Sequence, residues 1–153
     1  MRAVLFLGLI LSLAGLNAQP VSEEKAIRNA VEEFFEAFHA QDSAGLKNIA
    51  GPECTLKSIS MVREGQVIVK TQSFNDFIQA VTALPETADF REKLLSFEIK
   101  HDGLMAHVWA PYEFYYDRKL HHTGINSFVL FRNGKGKWKI IGITDTRKKE
   151  ISG

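Results

Sequence analysis

The sequence predicts an α+β domain in which helices come first and a sheet of long strands follows. Three observations point to it. Apolar residues recur at spacings of three and four over residues 22–41 and again after Ser73. From Leu94 onward, runs rich in β-branched and aromatic residues are separated by turn-forming clusters. The helical segments precede the main strands instead of alternating with them, which favours α+β over a βαβ arrangement.

The first helix spans Ser22–Gln41. Ile27, Ala30, Val31, Phe34, Phe35 and Phe38 share one face, and Glu23, Glu24, Arg28, Glu32, Glu33 and Glu36 the other. Ser22 is placed to cap it, Glu23 and Glu24 complement the positive end of its dipole, and His39 falls in the last turn, where a cation is favoured. Asp42 caps a short second helix, Ser43–Ala50, anchored by Leu46 and Ile49 and stopped by Gly51-Pro52. Thr55–Val62 and Gln66–Lys70 form a hairpin around Arg63-Glu64-Gly65. Ser73-x-x-Asp76 opens a third helix with the stripe Phe74, Phe77, Ile78, Val81 and Leu84, ended by Pro85.

Strands then cover Leu94–Lys100, Leu104–Tyr116, Leu120–Phe131 and Trp138–Thr146. The turns between them are His101-Asp102-Gly103, Asp117-Arg118-Lys119 and Asn133-Gly134-Lys135-Gly136. Short connections make this an antiparallel meander, and strands of such length must twist and curl around the helices. Phe131 and Trp138 flank the last turn as a cross-strand pair. Lys135, Lys137 and Lys139 form a solvated edge that resists edge-to-edge pairing.

Composition bounds the rest. The chain has 153 residues, 45% hydrophobic and 24% charged, the make-up of one globular domain with a real core. Residues 1–18 differ. A basic start, an apolar run from Ala3 to Leu16 and a small residue, Ala18, before Gln19-Pro20 have the layout of a secretory signal peptide. The run is shorter than the roughly 20 residues a bilayer span needs; the alternative is an uncleaved anchor. Export to the periplasm or beyond is therefore expected, with residues 22–147 as the domain and 148–153 as a tail, and no membrane contact after cleavage. Without Arg2 the formal charge is about zero, which argues against nucleic acid as a partner. Cys54 is the single cysteine, so no intramolecular disulfide forms, and it fits a strand-start or core thiol.

The order helix, short helix, hairpin, helix, long meander resembles the nuclear transport factor 2-like superfamily. Within it, Val108–Tyr115 on one strand, His121-His122-Thr123-Gly124 opening the next, and Trp138-Lys139-Ile140 with Ile143–Arg147 at the end look like an exported bacterial branch labelled SnoaL-like or lumazine-binding. The resemblance covers residues 22–147. It implies a cone, with three helices packed in a strongly curved, mixed but mostly antiparallel sheet and a cavity at the wide end, and often a homodimer. It does not imply one chemistry, since the superfamily includes isomerases, cyclases, dehydratases and binding modules.

Pleat alternation places candidate pocket residues independently of that resemblance. Closing the hairpin at Asp117–Lys119 sets Phe114 beside His122, Tyr112 beside Gly124 and Ala110 beside Asn126. Closing the next at Asn133–Gly136 sets His122 near Arg147, Gly124 near Asp145 and Asn126 near Ile143. One face thus carries Phe114, His122, Arg147, Tyr112, Asp145 and Asn126, with Phe128 and Ile141 continuing toward apolar ground and Gly124 leaving room in front of Tyr112 and Asp145. Such a mixture lines a ligand cavity. Pro111 lacks a ladder donor, and a bulge there would bring Trp109 and Glu113 to the same face.

Two chemistries fit. Asp145 could act as a base, with His122 as acid or base and Tyr112 or Tyr116 as a donor to a developing oxyanion, on a small cyclic or carbonyl compound. Alternatively Asp145, His122 and Arg147 form a structural network around a pocket that only binds a small molecule. No cofactor motif occurs, and no metal site is expected, because adjacent His121 and His122 on a regular strand point apart. A third possibility is assembly through the outer sheet face.

Overall fold

The computed structural model describes residues 22–63 and 65–149. The leader expected over residues 1–18 and the end of the tail lie outside the described residues. Ten elements follow in order: α1 (Glu23–His39), α2 (Ser43–Ile49), β1 (Ala50–Arg63), β2 (Gln66–Ser73), α3 (Phe74–Thr82), β3 (Phe90–Leu94), β4 (Glu98–His101), β5 (Met105–Tyr116), β6 (Lys119–Arg132) and β7 (Trp138–Arg147). The sheet order is β2-β1-β7-β6-β5-β3, with β4 also on β5. Every pairing is antiparallel except β1 with β7. The α+β class and the mixed, mostly antiparallel sheet are as expected.

The caps are those the sequence implies. Ser22 Oγ accepts from the Lys25 N–H (3.3 Å), Asp42 Oδ1 from Ala44 (3.0 Å) and Ser73 Oγ from Asp76 (3.1 Å). The buried stripe of α1, Ile27, Ala30, Val31, Phe34, Phe35 and Ala37, faces Val108, Ala110, Phe128, Leu130 and Ile140 on the sheet, together with Leu46, Ile49, Phe74, Ile78 and Val81 from the other helices. Phe34 is the hub. Its ring centroid lies 5.1–6.4 Å from those of Phe35, Phe38, Phe74, Phe77 and Phe128, all within the range of favourable aromatic pairs. The Cys54 thiol is buried in this core.

Several boundaries depart from the sequence expectation. The strand expected over 94–100 is two short strands, β3 and β4, with 95–97 between them. The break coincides with Pro111 on the facing strand. Its carbonyl accepts from the Leu95 N–H (2.8 Å), so the position of its absent N–H also faces this gap. Pro111 itself stays in register opposite Ile125, so no bulge forms there. Phe97 is tied back to α1 by the Arg28 guanidinium, 4.1 Å from its ring centroid. β1 begins at Ala50, not at Thr55, with a register shift between Ala50 and Thr55 where Glu53 takes a φ of 52°.

The β5–β6 register is the expected one: Phe114↔His122, Tyr112↔Gly124 and Ala110↔Asn126. It is reached differently. Asp117 and Arg118 both have positive φ and form a two-residue turn, and one extra residue, His121, bulges out before the register resumes. The β6–β7 register is displaced by two, with Asn126 opposite Asp145 and Phe128 opposite Ile143. One residue comes from the loop, where Asn133 Oδ1 accepts from both Lys135 and Lys137 and Arg132, not Phe131, faces Trp138. The other is a bulge at Ile141, which puts Ile140 on the concave face in the place expected of Ile141. Trp138 Nε1 reaches Glu23 Oε2 (3.1 Å) at the start of α1.

Gly124 does not open space for a ligand. A Cβ there would overlap the Thr146 carbonyl oxygen and lie 2.9 Å from the Tyr112 ring. Gly124→Ala should therefore destabilise the fold by about 3 kcal/mol, the upper end of overpacking costs. The check is the urea midpoint, which should fall with an unchanged slope.

Candidate functional site

A cavity of about 280 Å³ opens between the C-terminal half of α1, α3 and the concave face of the sheet. α1 and α3 supply Phe34, Phe35, Phe38 and Phe77, β5 and β6 supply Tyr112, Phe114 and Phe128, and the polar lining comes from Glu92, His121, His122, Asn126, Asp145 and Arg147. These meet because strands β3, β5, β6 and β7 present every second residue inward, so Glu92, Tyr112, Phe114, Asn126 and Asp145 fall on one face. A pocket of about 150 Å³ holds a single benzene ring, so this one suits a molecule of one or two rings.

Of the residues singled out from the sequence, Asp145, His122, Tyr112, Phe114, Asn126, Phe128 and Arg147 all line the cavity. Trp109 and Glu113 do not. With no bulge at Pro111 they stay on the outer face, Trp109 at 42% exposure and Glu113 bonded to the Tyr115 hydroxyl (2.8 Å). Tyr116 shares the inward parity of Phe114 but lies at the strand end and does not line the cavity, at 46% exposure.

The polar groups divide into a saturated set and a free one. Asp145 belongs to the first. Its Oδ1 accepts from Ser58 Oγ (2.5 Å) and its Oδ2 from Arg147 Nε (2.8 Å), while Arg147 Nη2 also donates to Ser58 (3.1 Å). The Tyr112 hydroxyl donates to the Thr146 carbonyl (2.9 Å) and lies 3.4 Å from Asp145 Oδ2. Burial, followed by the charges of Glu92 and Asp145, pushes the Tyr112 phenol far above its usual range. Asp145 is thus a fixed counter-ion and Tyr112 a committed donor.

Glu92 is the free group, and the sequence reading missed it. One carboxylate oxygen takes the Asn126 Nδ2 hydrogen bond (2.5 Å), and it has no cationic partner within salt-bridge distance among the described residues. Burial raises its pKa to about 7, the Asn126 bond pulls it back and nearby Asp145 adds to the rise. The carboxyl can therefore hold or release a proton near neutrality, as a general acid–base group must. His39 supports it. Its Nε2 accepts the Glu92 backbone N–H (2.9 Å), which requires a neutral ring, and burial followed by the charge of Arg91 lowers its pKa to about 4. The cation expected at the end of α1 is instead a neutral acceptor.

His121 and His122 also differ from expectation. The bulge turns both rings to one side, with Nδ1 atoms 2.8 Å apart. His122 stacks on Phe114 at 4.8 Å, and burial, then the charges of Arg147 and His121, lower its pKa to about 4. Among the described residues no group of three or more His, Cys, Asp or Glu is arranged to hold a metal ion.

No protein-family model matches this sequence. No curated protein matches it either. Solved structures do match. A nuclear transport factor 2-like protein from Cytophaga hutchinsonii superposes with a TM-score of 0.65 at 14% identity, covering 84% of this chain and 100% of that one. A candidate ketosteroid isomerase from Shewanella frigidimarina gives 0.58 at 17% identity, over 78% of this chain and 94% of that one. A candidate dehydratase from the same fold group in Streptomyces avermitilis gives 0.60 at 12%, over 81% and 94%. At such identities the likeness is one of fold, and the chain has the nuclear transport factor 2-like fold.

The titrating groups set a pH optimum of stability. His39 and His122 have folded pKa values near 4 against 6.5 unfolded, so the unfolded chain binds the extra protons and stability falls as pH drops from about 6.5 toward 4. Glu92 acts oppositely. Its pKa rises from 4.5 to about 7, so its contribution is complete below 4.5 and is lost as pH rises through about 7. Glu92→Gln should stabilise the protein more at pH 8 than at pH 5, read from paired urea titrations; an equal effect at both would place an ordinary solvated carboxyl at this position.

Proposed function

We propose that the chain binds a small cyclic molecule in this cavity, the rings of Phe34, Phe38, Phe114 and Phe128 packing on its apolar body and Glu92 with Asn126 contacting a polar group at one end. The observation that supports this most is the coexistence of an aromatic wall with one carboxyl that has no ionic partner. Such a site discriminates by hydrogen bonding and by shape. A thermal-shift screen against flavin-pathway metabolites, steroids and lipids tests it. A hit should be weakened about tenfold by Phe114→Ala, through loss of the stacking surface, and by Glu92→Gln. A hit indifferent to both would move the site elsewhere.

A second reading, an acid–base enzyme acting on a carbonyl compound, is favoured by Glu92 itself. A carboxyl with a pKa near neutrality, beside apolar rings, is suited to moving a proton next to a carbonyl. On this reading Glu92, not the ion-paired Asp145, takes the base role, and ligand C–H exchange with deuterium oxide should disappear in Glu92→Gln.

The partner on the outer face is a second copy of this chain, centred on Trp109 and Met105, which are 42% and 55% exposed on β5. Sedimentation of Trp109→Glu should show the monomer where the unaltered protein shows the dimer.

A further inference from the structure

The β1–β2 hairpin extends past the body of the sheet. β1 stays paired with β7 only as far as Ser60↔Arg147, whereas the β1–β2 ladder continues to Arg63↔Gln66. Along the projecting tip, Met61 and Val62, the latter the extra residue of a bulge between Met61 and Arg63, are exposed to 62% and 53%. Val67, opposite Met61, is exposed to 57%. A groove of about 820 Å³ runs beside this tip. Its charged walls are Arg63, Arg147, Lys148 and Lys149, and no described Asp or Glu lines it.

Exposed apolar side chains at a projecting tip, with cations set behind them, suit a medium that is apolar beneath an anionic outer layer. We propose that this hairpin docks on an anionic lipid bilayer, with Met61, Val62 and Val67 entering the interface and Arg63, Lys148 and Lys149 meeting the headgroups. The contact is peripheral, since no described helix is long and apolar enough to cross a membrane. It also orients the molecule. Arg147 lines both the groove and the cavity, so docking brings the cavity mouth toward the lipid.

The test places an environment-sensitive nitrobenzoxadiazole label on the full chain at Val62→Cys. Cys54 is buried and its thiol pushed up to about 11, so the introduced cysteine is the one that reacts. A reference label goes on Lys100→Cys, on β4. Vesicles of phosphatidylcholine with phosphatidylglycerol should shift the label at position 62 to the blue and leave the reference label unchanged. Vesicles of phosphatidylcholine alone should shift neither label. Lys148→Glu with Lys149→Glu should weaken the response about tenfold or more, given the contribution of each basic residue at such a surface. The proposal is overturned if position 62 does not respond to anionic vesicles, if it responds equally to neutral ones, if both labels respond together as a leader-driven association would make them, or if its emission shifts with protein concentration alone, which would assign the hairpin to contact between copies.

Discussion

The concave face depends on one cross-strand contact, the Tyr112 hydroxyl on the Thr146 carbonyl. Tyr112 lies on β5 and Thr146 on β7, and the side chain reaches across β6 only because Gly124 interposes no Cβ. A single side chain thereby holds three adjacent strands at one height. It does so where β6–β7 pairing thins to one isolated bridge, Thr123↔Lys148. The placement of Asp145 and Arg147 on either side of Thr146 follows from it, and so does the position of His122 against the Tyr112 ring, 5.7 Å between centroids.

Two acids in one cavity have opposite characters for reasons that lie in their neighbours. Asp145 accepts from Arg147, two residues along β7, and from Ser58, which the pairing of β1 with β7 sets opposite it. Glu92 has only the neutral Asn126 amide hydrogen-bonded to it, and that bond with the charge of Arg147 offsets the cost of desolvating its own charge only in part. One carboxyl is thus ion-paired and the other has no cation within salt-bridge distance among the described residues, which separates the parts they can play in the site. The neutral histidines around them fit the same picture, because an imidazolium beside Arg147 would add repulsion to the loss of solvation.

Much of this was legible in the residues. The helix caps, the stripe of α1 and the β5–β6 register follow from Ser22, Asp42 and Ser73, from apolar spacing, and from the turn at Asp117-Arg118. The β5–β6 pairing was robust because a three-residue turn and a two-residue turn with a bulge give the same partners beyond His122. They differ only at His121, and that difference is what brings two imidazoles together. Glu92 was illegible for another reason. Phe90, Glu92 and Leu94 alternate with Arg91 and Lys93 in the period of a strand, but the central inward residue is an acid, and a charged tripeptide resembles a surface loop. The signal was its parity with Phe90 and Leu94. The Ile141 bulge left no such mark, since an extra β-branched residue in a β-branched run breaks no pattern.

The gap opposite Pro111 bears on how copies of this chain can accumulate. On that side the sheet ends in two fragments of five and four residues, with no continuous run of free backbone groups. The other margin, β2, offers eight consecutive residues. Growth of a fibril by strand addition needs two complementary margins, one to receive and one to offer. With a single usable margin, pairing through backbone closes at two chains, and the proline that interrupts the ladder acts as a terminator of open-ended assembly.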